Sequence, residues 1–345
     1  MPQSSPLRTA VIGAGSFGRN HVRVYSELAQ PGIAQIVAIV DADSTPDREE
    51  LARKHGARFF PSVDRLLIAV RTGELMLDAA SVCVPTSLHT EVAAQLLQAG
   101  IPVLVEKPLA PTLADADQLL KLAAARNLVL QVGHLERFNP AVTALLPHVD
   151  RPMFFECHRL SIFTPRSLDV DVVLDLMIHD LDIVLHMAQS EVREIRAVGL
   201  PVLSRHTDIA NVRLEFNSGC VANFTASRVS TERVRKLRFF QPHEYISVDY
   251  ARQDVLIVNV AKVAAGSLSP GVTQDAISLA DLNFTKLDIT PGEPLRLEIE
   301  AFLQAVRTGQ PSPVPPQQSR DALALALAVN ETIAEHRRRA GLTTV

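Results

Sequence analysis

Between Leu7 and about Gly133, short apolar runs alternate with amphipathic stretches. The runs Thr9–Ile12, Gln35–Val40, Ala80–Val84, Val103–Val105 and Leu128–Val132 are rich in Val and Ile and apolar on both faces, as parallel strands covered by helices must be. The intervening segments Phe17–Ala29, Asp47–Lys54, Val63–Val70, Thr90–Gln98 and Asp115–Arg126 read as helices, and Val92, Ala93, Leu96 and Leu97 form one helical stripe. Alternation of this kind predicts βαβ units and a doubly wound parallel sheet.

The rhythm changes after Gly133. Helical segments at about Pro140–Leu146 and Val170–Met187 precede the alternating runs Val212–Phe216, Cys220–Thr225, Lys236–Phe240, Tyr245–Asp249 and Val255–Val260. These predict a largely antiparallel open sheet, with Asn217-Ser218-Gly219 as a turn. Gly266–Thr285 is weakly patterned and reads as a loop. A helix at about Leu295–Arg307, the Pro-rich Pro311–Pro316 and a last helix from Ser319 to about Arg338 follow. The last helix has the length to return to the first domain. The expected division is an α/β domain over residues 1–133 and a substrate-binding, oligomerising α+β domain over 134–345.

A length of 345 residues agrees with two domains at roughly 150 residues each. The 47% hydrophobic and 21% charged composition excludes global disorder. A net charge of −4 argues against a nucleic-acid partner, which selects for basic excess. Cys83, Cys157 and Cys220 are too scattered for a disulfide framework or a zinc site. No segment resembles a signal peptide, and no apolar run reaches the ~18 residues of a membrane helix. The expectation is a reduced, soluble, cytoplasmic protein that does not engage membranes.

Gly13-Ala14-Gly15-Ser16-Phe17-Gly18 fits G-x-G-x-x-G, and it follows a predicted strand and opens a predicted helix. The first glycine permits the tight turn, the second lets backbone approach a pyrophosphate, and the third lets helix pack on strand. Helix N-terminal amides then face the anion. This makes the first domain a Rossmann dinucleotide-binding domain. Asp41 ends the second strand, farther from Gly13 than the usual spacing of about 20. A carboxylate there accepts from the adenosine ribose and repels a 2′-phosphate, which favours NAD over NADP; Asp43 is a rival for the role, and Arg48 is a possible phosphate partner.

Two further sites follow strands. Val84-Pro85-Thr86-Ser87-Leu88-His89 follows the third apolar run, and Glu106-Lys107-Pro108 follows the next. In an open parallel sheet the carboxyl ends of the strands share the ligand-binding edge, so Asp41, Thr86 and Lys107 are expected to converge on the glycine loop. Lys107 is one of only six lysines in the chain, so its place between Glu and Pro at a strand end is informative.

The other cluster is Leu174–Asp182, where Asp175 and His179 share a helix face at i, i+4. A carboxylate beside an imidazole orients it as a general base. A helix-start carboxylate with a satisfied core histidine is the plain alternative. A metal site is another, because Asp175, His179, Asp182 and His186 repeat at 4-3-4 spacing. Beside a dinucleotide fold the base reading is preferred, with no metal.

With these residues in view, the chain resembles the glucose–fructose oxidoreductase, inositol dehydrogenase and rhizopine-catabolism (Gfo/Idh/MocA) family of sugar dehydrogenases. The resemblance rests on the glycine loop with His21, Pro85-Thr86 with His89, Glu106-Lys107-Pro108, and Asp175 with His179. It implies that Lys107 and His179 act at the reacting carbon, that Asp175 supports them, and that Gly13, Gly15, Ser16, Phe17, Gly18, Asp41, Pro85, Thr86, His89 and Glu106 serve NAD. The sequence departs from the family where Asp171-Val172-Val173-Leu174 replaces a glycine-rich approach to the Asp-His helix.

A narrower resemblance, carried by Gly133–Pro140, Leu174–Asp182 and Phe240–Tyr250, is to the branch oxidising UDP-N-acetylglucosamine at the 3-hydroxyl. It implies a link to an aminotransferase making diamino sugars for lipid A or other surface glycans; Glu136, Arg137, Asn139 and Arg166 are the candidate substrate contacts, with a helix start as the equally ordinary role of the Glu136–Asn139 segment. Oxidation of a free sugar or inositol is the alternative within the class, and a non-catalytic dinucleotide-sensing protein the alternative outside it. Val221, Phe224 and Val234 are placed on the uncovered face of the second sheet, so a homodimer or homotetramer is expected.

Overall fold

The computed structural model of the protein describes residues 5–164, 170–260 and 282–342. In chain order the first elements are β1 (Leu7–Ile12), α1 (Gly18–Glu27), β2 (Ala34–Val40), α2 (Pro46–Lys54), β3 (Arg58–Phe60), α3 (Val63–Arg71) and β4 (Ala79–Val82). Next come α4 (His89–Gln98), β5 (Val103–Glu106), α5 (Leu113–Ala125), β6 (Leu130–Gly133), α6 (Pro140–Leu145) and β7 (Phe154–Ile162). A π-turn at Val173–Met177 leads into α7 (Ile178–Ala188). Then follow β8 (Val192–Leu200), β9 (Ile209–Phe216), β10 (Val221–Ser230), β11 (Val234–Gln241), β12 (Glu244–Asp249), β13 (Asp254–Val260) and β14 (Leu282–Lys286). The chain closes with α8 (Pro294–Thr308) and α9 (Pro316–Arg339).

Two compact units emerge: one runs through Leu135 and includes Glu293–Leu323, and the other holds Glu136–Gly292 and the chain from Ala324. The expected division at 133/134 is therefore corrected for residues 293–323. The reason is a stripe on α8, Leu295, Ile299, Phe302 and Leu303, which enters the same core as Val22, Tyr25 and Leu28 of the α1 region. The start of α9 belongs with it, and Arg320 donates to Asp117 of α5 at 2.9 Å.

The first unit carries a six-stranded parallel sheet in the order β3-β2-β1-β4-β5-β6. Its central strands are buried on both faces; β4, β5 and β6 have no exposed residue. Only β3 escapes the sequence pattern, because a three-residue edge strand is too short to show a period.

The second unit carries an eight-stranded sheet in the order β14-β13-β12-β11-β7-β10-β9-β8. Every neighbouring pair is antiparallel except β10 with β7. The sequence pattern missed β7 and β8 and read the β14 region as loop. In β7, Arg159 occupies an inward position among buried Phe155 and Cys157, a charge where an alternating strand is expected to be apolar. Of the segment expected to be a loop, Leu282–Thr285 pairs with β13, while residues 266–281 lie outside the described residues.

The expected apolar outer face is also corrected. Phe224 is 1% exposed and points into the core, while Val221 and Val234 are half-buried. The outer face is instead a polar ladder: Asn211 donates to Thr225 at 3.0 Å and Arg213 to Asn223 at 3.4 Å. An aromatic corner adjoins it, with Phe240 5.7 Å from Phe154 and 5.1 Å from Tyr245 between ring centroids. No helix among the described residues is long and apolar enough to cross a membrane.

Asp208, fully buried, knots the β8–β9 connection. Its carboxylate accepts from the amides of Val202, Leu203 and Ser204 at 2.6–2.8 Å, from Ser204 Oγ at 2.7 Å and from Arg228 Nε at 2.8 Å. Burial opposes ionisation, but these donors outweigh it and hold the carboxyl well below the usual range. We predict that Asp208→Ala, which removes the carboxylate that Arg228 grips beside the Val170 and Thr207 carbonyls, lowers unfolding stability by roughly 3–5 kcal/mol, measured by urea denaturation. Because the folded pKa is depressed, the contribution is complete above the unfolded value of about 3.9 and fades as pH falls below it; the wild-type and variant stability curves should converge there.

Candidate active site

The candidate groups form two clusters, one in each unit. In the first, the chain leaves β1 through the glycine loop. Gly13 has φ +91°, and a Cβ there would lie 2.7 Å from the carbonyl of Cys83, just past β4. A Cβ on Gly18 would collide with the Gly13 carbonyl, whereas one on Gly15 would meet nothing within 4 Å. Gly13 and Gly18 thus permit tight packing, and Gly15 presents open backbone. A cavity of about 420 Å³ lies here, lined by Gly13, Gly15, Asp41, Arg48 and Pro85 among others. An open glycine backbone, a helix N-terminus and a carboxylate around this volume fit a dinucleotide. Ser16 and Phe17 are exposed at the loop's tip.

Asp41 organises the far side of this cavity. Its carboxylate accepts from the Ala14 amide at 2.7 Å and the Asp43 amide at 2.9 Å. Asp43, the rival for its role, contributes only its backbone to this turn. Arg48 Nε lies 3.5 Å from Asp41, and Arg48 also donates to the Ala14 carbonyl. One carboxylate therefore holds the glycine loop and lines the cavity, with a cation beside it.

Pro85 precedes a short 3₁₀ turn, Thr86–Leu88, that runs into α4. His89, 1% exposed, bridges two loops: Nδ1 contacts the Pro108 carbonyl at 2.8 Å and Nε2 the Val84 carbonyl at 2.9 Å. Burial pulls its pKa down despite these carbonyls. The imidazole straps the loop after β4 to the Lys107-Pro108 turn. Lys107 is half-buried at the end of β5.

Beneath Lys107, Glu106 accepts from or donates to His21 Nε2 at 2.9 Å, and Cys83 completes a group whose polar atoms lie within 4.8 Å. Burial, reinforced by Glu106 and Glu298, pushes the Cys83 thiol up, which keeps it a thiol. Glu298 of α8 is fully buried, and neither carboxyl oxygen has a hydrogen-bond partner. Burial, with Glu106 adding to it, pushes this carboxyl well up. Glu298 was not singled out in the sequence because it sits in a helix otherwise read as amphipathic packing.

In the second cluster, Asp171 accepts from the Thr207 amide at 2.8 Å, and the Val172 amide donates to the Thr207 carbonyl at 2.9 Å. This bracing stands where the family has its glycine-rich approach. The chain then forms the π-turn, so Asp175 precedes α7 rather than continuing one α-helix, as the sequence pattern expected. π-turns are rare and concentrate at functional sites. His179, 8% exposed, follows on the first turn of α7. Asp175 and His179 still lie on successive turns of one helical path.

The expected substrate contacts Glu136, Arg137 and Asn139 are drawn into buried pairs. Arg137 forms a bidentate pair with Asp182, at 2.6 and 3.0 Å, and is nearly buried. Glu136 accepts from Arg159 at 3.0 Å and from Asn139 at 3.0 Å; Asn139 also donates to the Tyr250 carbonyl and caps α6. These side chains satisfy each other because burial demands it. Asp182, held by Arg137, is also withdrawn from the 4-3-4 metal alternative. Arg166 lies outside the described residues.

Comparison with known proteins extends this picture. The family described as "Oxidoreductase family, NAD-binding Rossmann fold" matches residues 7–134, and the GFO/IDH/MocA C-terminal domain matches 148–241. UDP-N-acetylglucosamine 3-dehydrogenase of Acidithiobacillus ferrooxidans is 37% identical over 328 residues, covering 95% of this chain and 97% of that protein. Its solved structure superposes with a TM-score of 0.83 at 35% identity, covering 96% and 98% of the two chains. Inositol 2-dehydrogenase of Acidothermus cellulolyticus is 28% identical over 57% of this chain and 58% of its own length. A levoglucosan dehydrogenase, solved with NADH and levoglucosan, shares the fold at a TM-score of 0.80 and 17% identity, covering 96% and 98%.

The buried Glu298 carboxyl generates a test. Its folded pKa is raised, so its contribution is complete below the unfolded value of about 4.3 and is lost as pH rises towards the folded value, by up to about 1.4 kcal/mol per pH unit. Glu298→Gln, which mimics the neutral acid, should therefore gain stability over wild type between pH 5 and 8. Denaturation midpoints of the two proteins across that range measure the gain; parallel curves would refute the buried-acid assignment.

Proposed function

The chain belongs to the Gfo/Idh/MocA family of NAD-binding oxidoreductases, and from that premise we propose that it oxidises UDP-N-acetylglucosamine at C3 to the 3-keto sugar. The observation that carries this reading is the likeness to UDP-N-acetylglucosamine 3-dehydrogenase along 95% of the chain, against 57% for the inositol dehydrogenase. Bound NAD supplies the hydride acceptor, a property of the cofactor itself. The open backbone at Gly15, in the turn that Gly13 and Gly18 make possible, would hold its pyrophosphate against the start of α1, and Asp41 its adenosine ribose, with NADP disfavoured by that carboxylate.

His179 takes the 3-hydroxyl proton, a task suited to a group whose ordinary pKa is about 6.5. Asp175 orients the imidazole from the preceding π-turn. The Lys107 ammonium stabilises the developing alkoxide. A dinucleotide-sensing module without catalysis gives these three side chains no chemical task.

The reading also carries a biological setting. The keto sugar is consumed by a glutamate-dependent aminotransferase, on the way to diamino sugars for lipid A or another surface glycan, in the cytoplasm where NAD and nucleotide sugars meet. A homodimer or homotetramer forms through the outer sheet face, whose aromatic corner is Phe154, Phe240 and Tyr245. A monomeric mass by sedimentation at micromolar concentration would refute that assembly.

The substrate assignment predicts turnover in a panel of nucleotide sugars and free sugars with NAD and an aminotransferase, read by mass spectrometry. UDP-N-acetylglucosamine should lose two mass units or yield an amino sugar; turnover of inositol or glucose without any UDP-sugar would overturn it. Lys107→Ala should cut kcat by about 10²–10⁴-fold while NAD affinity, measured by calorimetry, stays nearly constant. Chelator treatment should leave the wild-type rate unchanged.

A further inference from the structure

In the segment Glu136–Asn139, Glu136, Arg137 and Asn139 are engaged in buried hydrogen bonds and ion pairs, and the charged ones are taken out of water at a cost. We propose that Arg137 and Arg159 are positioning residues that fix the rotation of α7 and so aim His179, an inference that rests on the base role given to His179 above. The two carboxylates that follow His179 are each gripped by a guanidinium from another element. Asp180 receives Nε and Nη2 of Arg159 from β7, both at 2.8 Å. Asp182 receives Nε and Nη2 of Arg137, at 2.6 and 3.0 Å.

Helix geometry explains the need for both. At 3.6 residues per turn each residue advances about 100°, so Asp180 lies about 100° to one side of His179 and Asp182 about 60° to the other. The clamps pull on opposite flanks, and no rotation of α7 improves one without breaking the fork of the other. The π-turn immediately upstream is where the helical register departs from α. His179 lies between that irregularity and the clamped Asp180 and Asp182, so the clamps hold the α-helical turn that carries it.

The network is closed on its outer side. Arg159 Nη1 donates to Glu136 at 3.0 Å, and its guanidinium lies 5.4 Å from the Tyr250 ring centroid. Burial disfavours the Arg159 charge, but Asp180 and Glu136 outweigh it and keep the guanidinium protonated. Buried ion pairs seldom stabilise more than apolar residues of similar volume. Their gain here is directional: a bidentate guanidinium fixes orientation as well as distance.

The test uses Arg137→Lys and Arg159→Lys, which keep the charge and lose the fork, with Arg213→Lys on the outer face as control. Both clamp variants should fold, by circular dichroism and melting, and should lose kcat at least tenfold while KM for NAD stays within twofold. Arg137→Ala should recover part of its kcat in added guanidinium ion at sub-denaturing concentration, a rescue that a purely stabilising role would not yield. Clamp variants that turn over like wild type and like Arg213→Lys would overturn the proposal, provided His179→Ala is inactive. Wild-type turnover in His179→Ala would instead remove the base assignment on which the proposal stands. If a lysine variant does not fold, the guanidinium dependence of Asp182→Asn kcat decides: with no carboxylate to grip, it should show no rescue, and rescue there would overturn the proposal.

Discussion

A carboxylate taken out of water costs several kcal/mol unless a cation, a set of donors or a proton comes with it. Among the described residues Glu106, Glu136, Asp180, Asp182, Asp208 and Glu298 are all buried, and they meet this requirement in four ways. Asp180, Asp182 and Glu136 use guanidinium groups. Asp208 combines three backbone amides with Arg228. Glu106 has His21. Glu298 meets the requirement by keeping its proton. The organisation of both candidate clusters follows from how these groups are paired.

In the first unit the same demand and the demand for close packing act on one edge of the sheet. Gly13 brings the loop against the chain leaving β4, Asp41 ties that loop by its Ala14 amide, and His89 ties the loop after β4 to Pro108. These contacts tie the loops of the cradle to one another. Preorganised amides and carboxylates need little rearrangement on binding, which is how a loop of small residues holds a large anionic cofactor. Lys107 stands at the end of the strand that carries Glu106, so the buried pair below it also anchors the backbone that presents it.

In the second unit the charges are spent on a helix. A path that begins with a π-turn has two competing hydrogen-bond registers, and apolar packing alone discriminates poorly between rotations of an amphipathic cylinder. Two bidentate pairs on opposite flanks of His179 discriminate well, because guanidinium–carboxylate forks lose their second bond when the helix turns. The Asp208 knot supports the same helix from its entrance: Arg228 donates to the Val170 carbonyl at 2.7 Å as well as to Asp208.

What was legible in the sequence was what is local. Apolar runs of strand length, a 3.6-residue stripe such as Val92–Leu97, the glycine loop after a strand, Glu106-Lys107-Pro108 at a strand end and Asp175 four residues before His179 all declare themselves within a few positions. They sufficed for the doubly wound first domain, the antiparallel character of the second and the family. The tertiary structure alone decided which side of a strand Phe224 faces, because a one-residue change of register inverts every side chain. It alone joined α8 to the first unit, since the apolar stripe Leu295–Leu303 fits any helix-sized groove until a core is present to receive it. It alone paired Arg137 with Asp182, and revealed Arg159 inside a strand that its charge had disguised. A charged side chain carries no mark of its partner in the sequence; burial, which depends on the whole chain, selects it.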